Sequence, residues 1–367
     1  MVIINKMNLL FPFEKNWQKK LDNKLDEHLD RESWLRIQLV KWLPWTFRIL
    51  LAAFISFLFV VFTNYGKQKQ SFIYGTTYDP WYAMSLGLNW KTTYLEILDD
   101  LGVKYLRLST FWDQIEPIRD QYYWNDFEWM LNEADKRGVR VIMAIGRKLP
   151  RWPECHDPSW LGELNEETLK QEQMEMLKKA VIKLKEHPSI EVWQVENEAF
   201  FPFGICPLAD PRFVKKEIEL VRSLDPNRII ITSDSGEVGN WIIPGYLADK
   251  LAISMYRKVR LGWSGYVVWP VPAWYYRLKA SLVGLDHNDV WGTELQAEPW
   301  APGPLHLQTK EELEKTMSPK RLINNIQYAK KAGLERVYLW GVEWWAYEKE
   351  RGNDWYWEYA KKLYKVR

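Results

Sequence analysis

The sequence predicts a closed (β/α)8 TIM barrel preceded by an N-terminal transmembrane helix. Three observations carry this. Short apolar strands alternate with amphipathic helices over most of the chain. The helix-to-strand joints resemble one another: LGVKYLRLS, RGVRVIMAIG and AGLERVYLWG each place a glycine after a helix and then a strand. From Ser71 onward roughly 295 residues remain, near the usual size of one such barrel.

Composition narrows the function first. The 367 residues carry 50 Lys and Arg against 48 Asp and Glu, so no basic excess points to nucleic acid. Five His and two Cys argue against a zinc site built on repeated Cys and His spacings. The 23 Trp are more than packing alone ordinarily requires, and flat aromatic rings suit the apolar faces of sugars.

In chain order, residues 1–44 form a polar, doubly charged segment predicted to stay in the cytoplasm. Trp17, Leu21, Leu25 and Leu29 recur every fourth residue there, as on one face of an amphipathic helix. A membrane-surface helix, a partner-binding helix and an unordered tail are all consistent with this spacing. Residues 45–66 read as a signal anchor. No charge appears from Ile49 to Gly66, about the shortest run that spans a bilayer. Trp42, Trp45 and Tyr65 sit at its ends, where aromatic belts form. A cleaved signal peptide fits poorly, because the preceding segment is long and no small-x-small site follows Phe62. Arg31, Arg36, Lys41 and Arg48 precede the run, whereas Lys67 and Lys69 follow it. This asymmetry predicts a single-pass membrane protein whose domain 71–367 lies outside the cytoplasm.

Within that domain the strands are expected at 72–77, 103–109, 139–146, 190–197, 228–233, 251–256, 289–295 and 336–341. Gly102, Gly138 and Gly333 supply the left-handed turns that end helices. Asn125 with Glu128 reads as a capping box. Asp210-Pro211 and Ser318-Pro319 read as caps followed by Pro in the first turn. An open doubly wound sheet is the competing fold. It usually carries a Gly-rich phosphate loop after its first strand, and GTTYDPWY is not one.

In a parallel barrel the strand ends share one rim, where ligands and catalytic groups gather. Those ends hold Arg107, Asn197, Glu198, Tyr256, Glu294 and Trp340. Two carboxyls from different strands are the minimum equipment for cleaving a glycosidic bond: one protonates the leaving oxygen, the other attacks or stabilises the anomeric centre.

The chain here resembles clan A of the glycoside hydrolases, the retaining (β/α)8 enzymes that include the family 5 cellulase-like and family 42 β-galactosidase-like groups. The resemblance covers roughly Ile73 to Tyr364. QVENE matches the Asn-Glu pair of the fourth strand, which implies Glu198 as acid/base and Asn197 at the 2-hydroxyl. WGTELQAEPW matches the seventh-strand nucleophile at Glu294. Arg107 in YLRLSTFW and Tyr256 in AISMY match the residues that orient the nucleophilic carboxylate and favour its charged form. Trp340 in YLWG matches the tryptophan that floors the sugar subsite, with ordinary packing as its other reading. The segments FWDQIEP…YYW and PRWPE resemble the family 42 and related groups.

Two departures stand out. Many clan members carry a His two residues before the sixth-strand Tyr, and this chain has Ser254. A second carboxyl, Glu298, follows Glu294 by four residues and reads as a loop residue that binds substrate. Glu196 and Glu191 read as loop or ion-pair carboxylates. Arg147, Lys148 and His156 are expected near the rim. Trp263, Tyr266 and Trp269 are expected as sugar platforms, or as membrane or packing contacts; Trp344 and Trp345 are expected as sugar platforms, with the core as their other reading. Cys155 and Cys206 fall in loops after neighbouring strands, and an exported domain permits a disulfide between them; two free thiols are the alternative.

The implied activity is a retaining β-glycosidase on a saccharide or glycoside, a chemistry that needs no metal or organic cofactor. The alternatives are a transglycosylase on the same site and a carbohydrate-binding barrel without activity.

Overall fold

The computed structural model describes residues 45–58, 72–262 and 265–365. The chain divides into a unit over Met1–Asn64 and a unit over Tyr65–Arg367. In the first unit residues 45–58 are helical, and Phe47, Leu50, Phe54 and Phe57 are exposed along it. Among the described residues no helix is long and apolar enough to cross a membrane. The remainder of the expected span, 59–66, and the spacing of Trp17 to Leu29 lie outside the described residues.

In the second unit eight parallel strands close into a barrel. They are β1 Ile73–Thr77, β2 Tyr105–Ser109, β3 Arg140–Ile145, β4 Ile190–Val195, β5 Ile229–Ser235, β6 Lys250–Met255, β9 Val290–Gln296 and β10 Arg336–Trp340. A small antiparallel hairpin, β7 Lys258–Leu261 and β8 Gly265–Val268, lies between β6 and β9. Strand β1 pairs with β2 and with β10, so the sheet has no edge and the open doubly wound alternative is excluded. Closure satisfies backbone groups that an open sheet leaves to solvent. Ile142, Val192, Ile231, Ala252, Trp291 and Tyr338 form a compact group of their own, contributed by β3, β4, β5, β6, β9 and β10. A larger apolar layer joins the strands to the surrounding helices.

The local signals behave as their chemistry requires, with one exception. Gly102, Gly138 and Gly333 all have φ between 61° and 77°, the left-handed region that costs a glycine nothing. Asp210 and Ser318 cap their helices and accept from Arg212 N and Arg321 N. The capping box expected at Asn125 and Glu128 is not formed. The helix Asn125–Lys136 starts one residue earlier, with Trp124 at the cap position and no side-chain cap bond, which places Asn125 inside the first turn.

Strand β9 carries an irregularity that the alternation of side chains does not reveal. Its pairing with β6 jumps from Ile253↔Gly292 to Ser254↔Glu294, and its pairing with β10 jumps from Val337↔Gly292 to Leu339↔Leu295. One extra residue, Thr293, is thus accommodated. Strict alternation puts residues 291 and 294 on opposite faces; the bulge brings both Trp291 and Glu294 to the interior.

Cys155 and Cys206 are joined, tying the loop after β3 to the loop after β4 across 51 residues. Alkylation is expected only after reduction, and Cys206→Ser is expected to lower unfolding free energy by about 2–4 kcal/mol. Equal labelling before and after reduction contradicts the bond.

Candidate active site

The site is built from the C-terminal ends of β2, β4, β5, β6 and β9. At its centre lies Arg107, whose side chain is fully buried. Its Nε donates to Gln194 Oε1 at 2.9 Å, its Nη1 to Glu294 Oε1 at 2.8 Å and its Nη2 to Asn197 Oδ1 at 2.9 Å. A buried guanidinium is tolerable only with its donors satisfied and its charge paired, and one carboxylate with two amide oxygens meets both needs. Tyr256 donates to the other oxygen of Glu294 at 3.0 Å. Glu294 is therefore gripped on both oxygens, by groups from β2 and from just past β6.

Glu198 lives differently. It follows a strained corner in which Glu196 and Glu198 both have positive φ, 60° and 46°. Strain of this kind persists where the surroundings over-determine it. Glu196 accepts from Arg147 N at 2.7 Å, Lys148 N at 2.8 Å and Gln173 Nε2 at 3.0 Å. The Lys148 ammonium donates to the carbonyls of Glu198, at 2.9 Å, and Phe201, at 2.7 Å. Ser233 Oγ accepts from Glu198 N at 2.8 Å and donates to Asn197 Oδ1 at 2.9 Å. Ser254 Oγ donates to the Glu198 carboxyl. Burial pushes that carboxyl well above the ordinary range, and the charges of Glu294 and Glu154 push the same way; Ser254 and Lys148 oppose them. The Ser254 departure thus has a structural answer: the hydroxyl supplies a polar contact to the acid from the sixth barrel strand.

The site residues expected at the strand ends converge here, with qualifications at the edges. Trp340 ends β10 with its Nε1 donating to Glu298 Oε1 at 2.8 Å. The Arg151 guanidinium lies 4.6 Å from the Trp340 ring centre, so one face of the expected sugar floor already carries a cation. Glu298 lies in the loop after β9, as expected, and is buried there; besides Trp340 it faces Arg151 at 3.4 Å, which itself lies near Asp79 and Glu343. Its Oε1 fixes the posture of the Trp340 ring at the end of β10.

Trp344 and Trp345 are corrections. Both follow the strand end in sequence, but helix Val342–Glu350 turns them into the core. Trp344 packs on Tyr356 with ring centres 4.4 Å apart, and Trp345 donates to Ala297 O at 2.8 Å. Neither offers a face to a sugar. Arg147 pairs with Asp157 at 2.6 Å, and His156 bonds Arg151 O at 3.1 Å. Tyr266 donates to Glu312, and Trp263 lies outside the described residues. Glu191 forms ion pairs with Arg336 at 2.7 Å and Arg140 at 3.0 Å, as a structural carboxylate.

Two groups escaped the reading of strand ends. Glu154, in PRWPE, brings a third carboxyl to the site; it accepts from Asn197 Nδ2 at 3.2 Å. A row of rings, Tyr256, Trp300, Phe203 and Trp152, runs outward from Glu294 with centres 5.1, 5.7 and 6.2 Å apart in turn. These come from loops, whose positions no strand count supplies. The Gly-Thr pair before Glu294 was the one available signal for the bulge.

Comparisons with known proteins bear on the barrel itself. Residues 107–260 match the family model described as glycosyl hydrolases family 2, TIM barrel domain. That stretch holds Arg107, Asn197, Glu198 and Tyr256. The match covers less than half of the chain. Among solved structures, a GH5_18 protein from Bifidobacterium longum subsp. longum superposes with a TM-score of 0.52 at 17% identity, over 74% of this chain and 70% of that one. A variant of it in complex with Manβ1-4GlcNAc gives 0.54 at 16% identity, over 80% and 79%. The exo-β-1,4-mannosidase Op5Man5 from Opitutaceae bacterium strain TAV5 gives 0.56 at 15% identity, over 80% of this chain and 59% of that one. At such identities the likeness is one of fold. No curated protein matches the sequence.

Because the Ser254 hydrogen bond favours the charged form of Glu198, Ser254→Ala is expected to raise the Glu198 pKa. The alkaline limb of the kcat/KM–pH profile should move up, by about one unit or less. A limb that stays put or moves down contradicts the contact.

Proposed function

We propose that this glycosidase is a retaining β-glycoside hydrolase working by double displacement, anchored to a membrane with its barrel outside the cytoplasm. The observation that carries the mechanism is the unequal treatment of two carboxyls at one rim. Glu294 is held on both oxygens by Arg107 and Tyr256. Glu198 is buried, pushed toward its neutral form, and held by a hydroxyl. Two acids whose environments drive their protonation apart can divide acid and nucleophile roles.

In the first step Glu294 attacks the anomeric carbon while Glu198 gives its proton to the leaving oxygen. The product is a glycosyl ester on Glu294 and a released alcohol. In the second step Glu198, now charged, takes a proton from water, which displaces Glu294 and regenerates both groups. The two inversions retain configuration. Asn197 addresses the 2-hydroxyl, whose contact tightens as positive charge builds at the ring. Phe203, Trp300 and Trp152 offer apolar faces on the approach to the nucleophile.

The anchor rests on the charge-free run 49–66, on its basic N-terminal flank and on exposed apolar side chains around helix 45–58. The Cys155–Cys206 bond suits an oxidising compartment.

A panel of 2-deoxy-2-fluoro aryl β-glycosides should label Glu294 and stop turnover, and peptide mapping reads the site. Glu294→Gln should abolish activity, and Glu198→Gln should cost on the order of 10²–10⁴ in kcat on substrates with poor leaving groups. Label on Glu298, or turnover surviving in Glu294→Gln but lost in Glu298→Gln, reverses the assignment. Protease added to intact cells should digest the barrel and spare the N-terminal tail; full protection of the barrel refutes the orientation.

A further inference from the structure

Asn197 presents a side-chain amide whose two ends are treated unequally. Its oxygen is crowded by donors: Arg107 Nη2 at 2.9 Å, Ser233 Oγ at 2.9 Å and Gln194 Nε2 at 3.2 Å. Three donors on one oxygen identify that atom and leave no alternative flip of the amide. The nitrogen has two hydrogens. Glu154 Oε2 takes one, at 3.2 Å, and is the partner of this nitrogen among the described residues.

Glu154 is itself held with unusual thoroughness. It is 4% exposed. Its φ is 76°, a region that a non-glycine residue keeps only when its surroundings enforce it. Its backbone N donates to Arg151 O at 2.8 Å, and its carbonyl accepts from Leu149 N at 2.8 Å. The next residue is Cys155, bonded to Cys206. Gly204, from the loop after β4, lies flat on its side chain: a Cβ there meets Glu154 Cγ at 2.5 Å and Cβ at 2.6 Å. Two loops and a covalent bond thus converge to place one carboxyl beside one amide. The strand-end reading of the fold assigns no task to it.

A carboxyl in this place is costly. Burial first, and then the charge of Glu294, push Glu154 up to about 8, against Lys148, Asn197 and Arg107. At neutral pH it is mostly an uncharged acid, which still accepts from an amide N–H through one oxygen. A purely structural filler of this volume needs no carboxyl, and an apolar side chain avoids the burial cost.

We propose that Glu154 is a positioning residue: by holding one N–H of Asn197 it aims the other at the 2-position of the sugar being cleaved, and so selects glycosides that carry a free 2-hydroxyl there. The inference rests on the proposed hydrolase reading, in which Asn197 faces that hydroxyl. It deepens it by naming the substrate class.

The test pairs a change in the enzyme with a change in the substrate. Wild type, Glu154→Ala and Glu154→Gln are assayed on 4-nitrophenyl β-D-glucoside, β-D-mannoside and β-D-galactoside and on their 2-deoxy counterparts. Where wild type turns over a 2-hydroxy substrate, Glu154→Ala should lower kcat/KM by about 10–100-fold on it and less than about 3-fold on the 2-deoxy partner, because the contact it serves is already gone. Glu154→Gln, whose amide oxygen can still accept from Asn197, should recover most of the loss. Thermal unfolding of each variant is measured alongside. Equal losses on both members of a pair, or no loss on either, overturn the proposal while leaving the hydrolase reading intact. Failure of wild type on every substrate overturns the hydrolase reading, and this inference with it.

Discussion

A single guanidinium, that of Arg107, ties together the parts of this barrel that matter for chemistry. It is wholly buried and bonds to Gln194 and Asn197 of the fourth barrel strand and its corner, and to Glu294 of the seventh. Each bond also relieves a cost. Without the arginine, Glu294 is a buried carboxylate facing two further acids. Without Glu294, the arginine is a buried charge with only amide partners. Removing one member of such a pair typically costs about 3–5 kcal/mol, since the survivor stays buried and uncompensated. The pair is therefore poor material for stability but good material for geometry, because neither side chain has anywhere else to go.

Around that centre the protein stores strain and surrounds it with restraints. Glu196 and Glu198 take left-handed backbone angles on either side of Asn197. Glu196 holds the loop after β3 through its backbone, and Lys148 from that loop holds the corner after β4 through two carbonyls. The Cys155–Cys206 bond closes the same two loops covalently. The corner that carries the proposed acid is consequently rigid although it belongs to no strand or helix. Rigidity of this kind suits the proposed mechanism, in which a proton donor and a nucleophile are held on opposite sides of one bond.

Much of this was readable without coordinates, because it depends on short-range chemistry. Alternation of apolar and polar residues, the glycines at the joints and the proline-led helix starts are local, and so the eight barrel strands fall within a few residues of their expected places. The strand ends followed from the strands, and with them Arg107, Asn197, Glu198, Tyr256, Glu294 and Trp340. What misled was also local. Trp344 and Trp345 follow a strand end, and proximity in sequence made them look like rim residues. A helix begins immediately after the strand and rotates both inward, to Tyr356 and Ala297.

The line between the two kinds of knowledge is thus a matter of range. Residue order alone sufficed for the eight barrel strands, their sequence along the chain and the side chains at their ends, since each of these depends on neighbours a few positions away; it did not disclose the hairpin of β7 and β8. Folding in three dimensions was needed to turn Glu294 inward through the bulge at Thr293, to put a cation over Trp340 and to bring Glu154 against Asn197. Those outcomes depend on contacts between segments some 40 to nearly 190 residues apart in the chain, where packing and burial choose the partner and no periodicity records the choice.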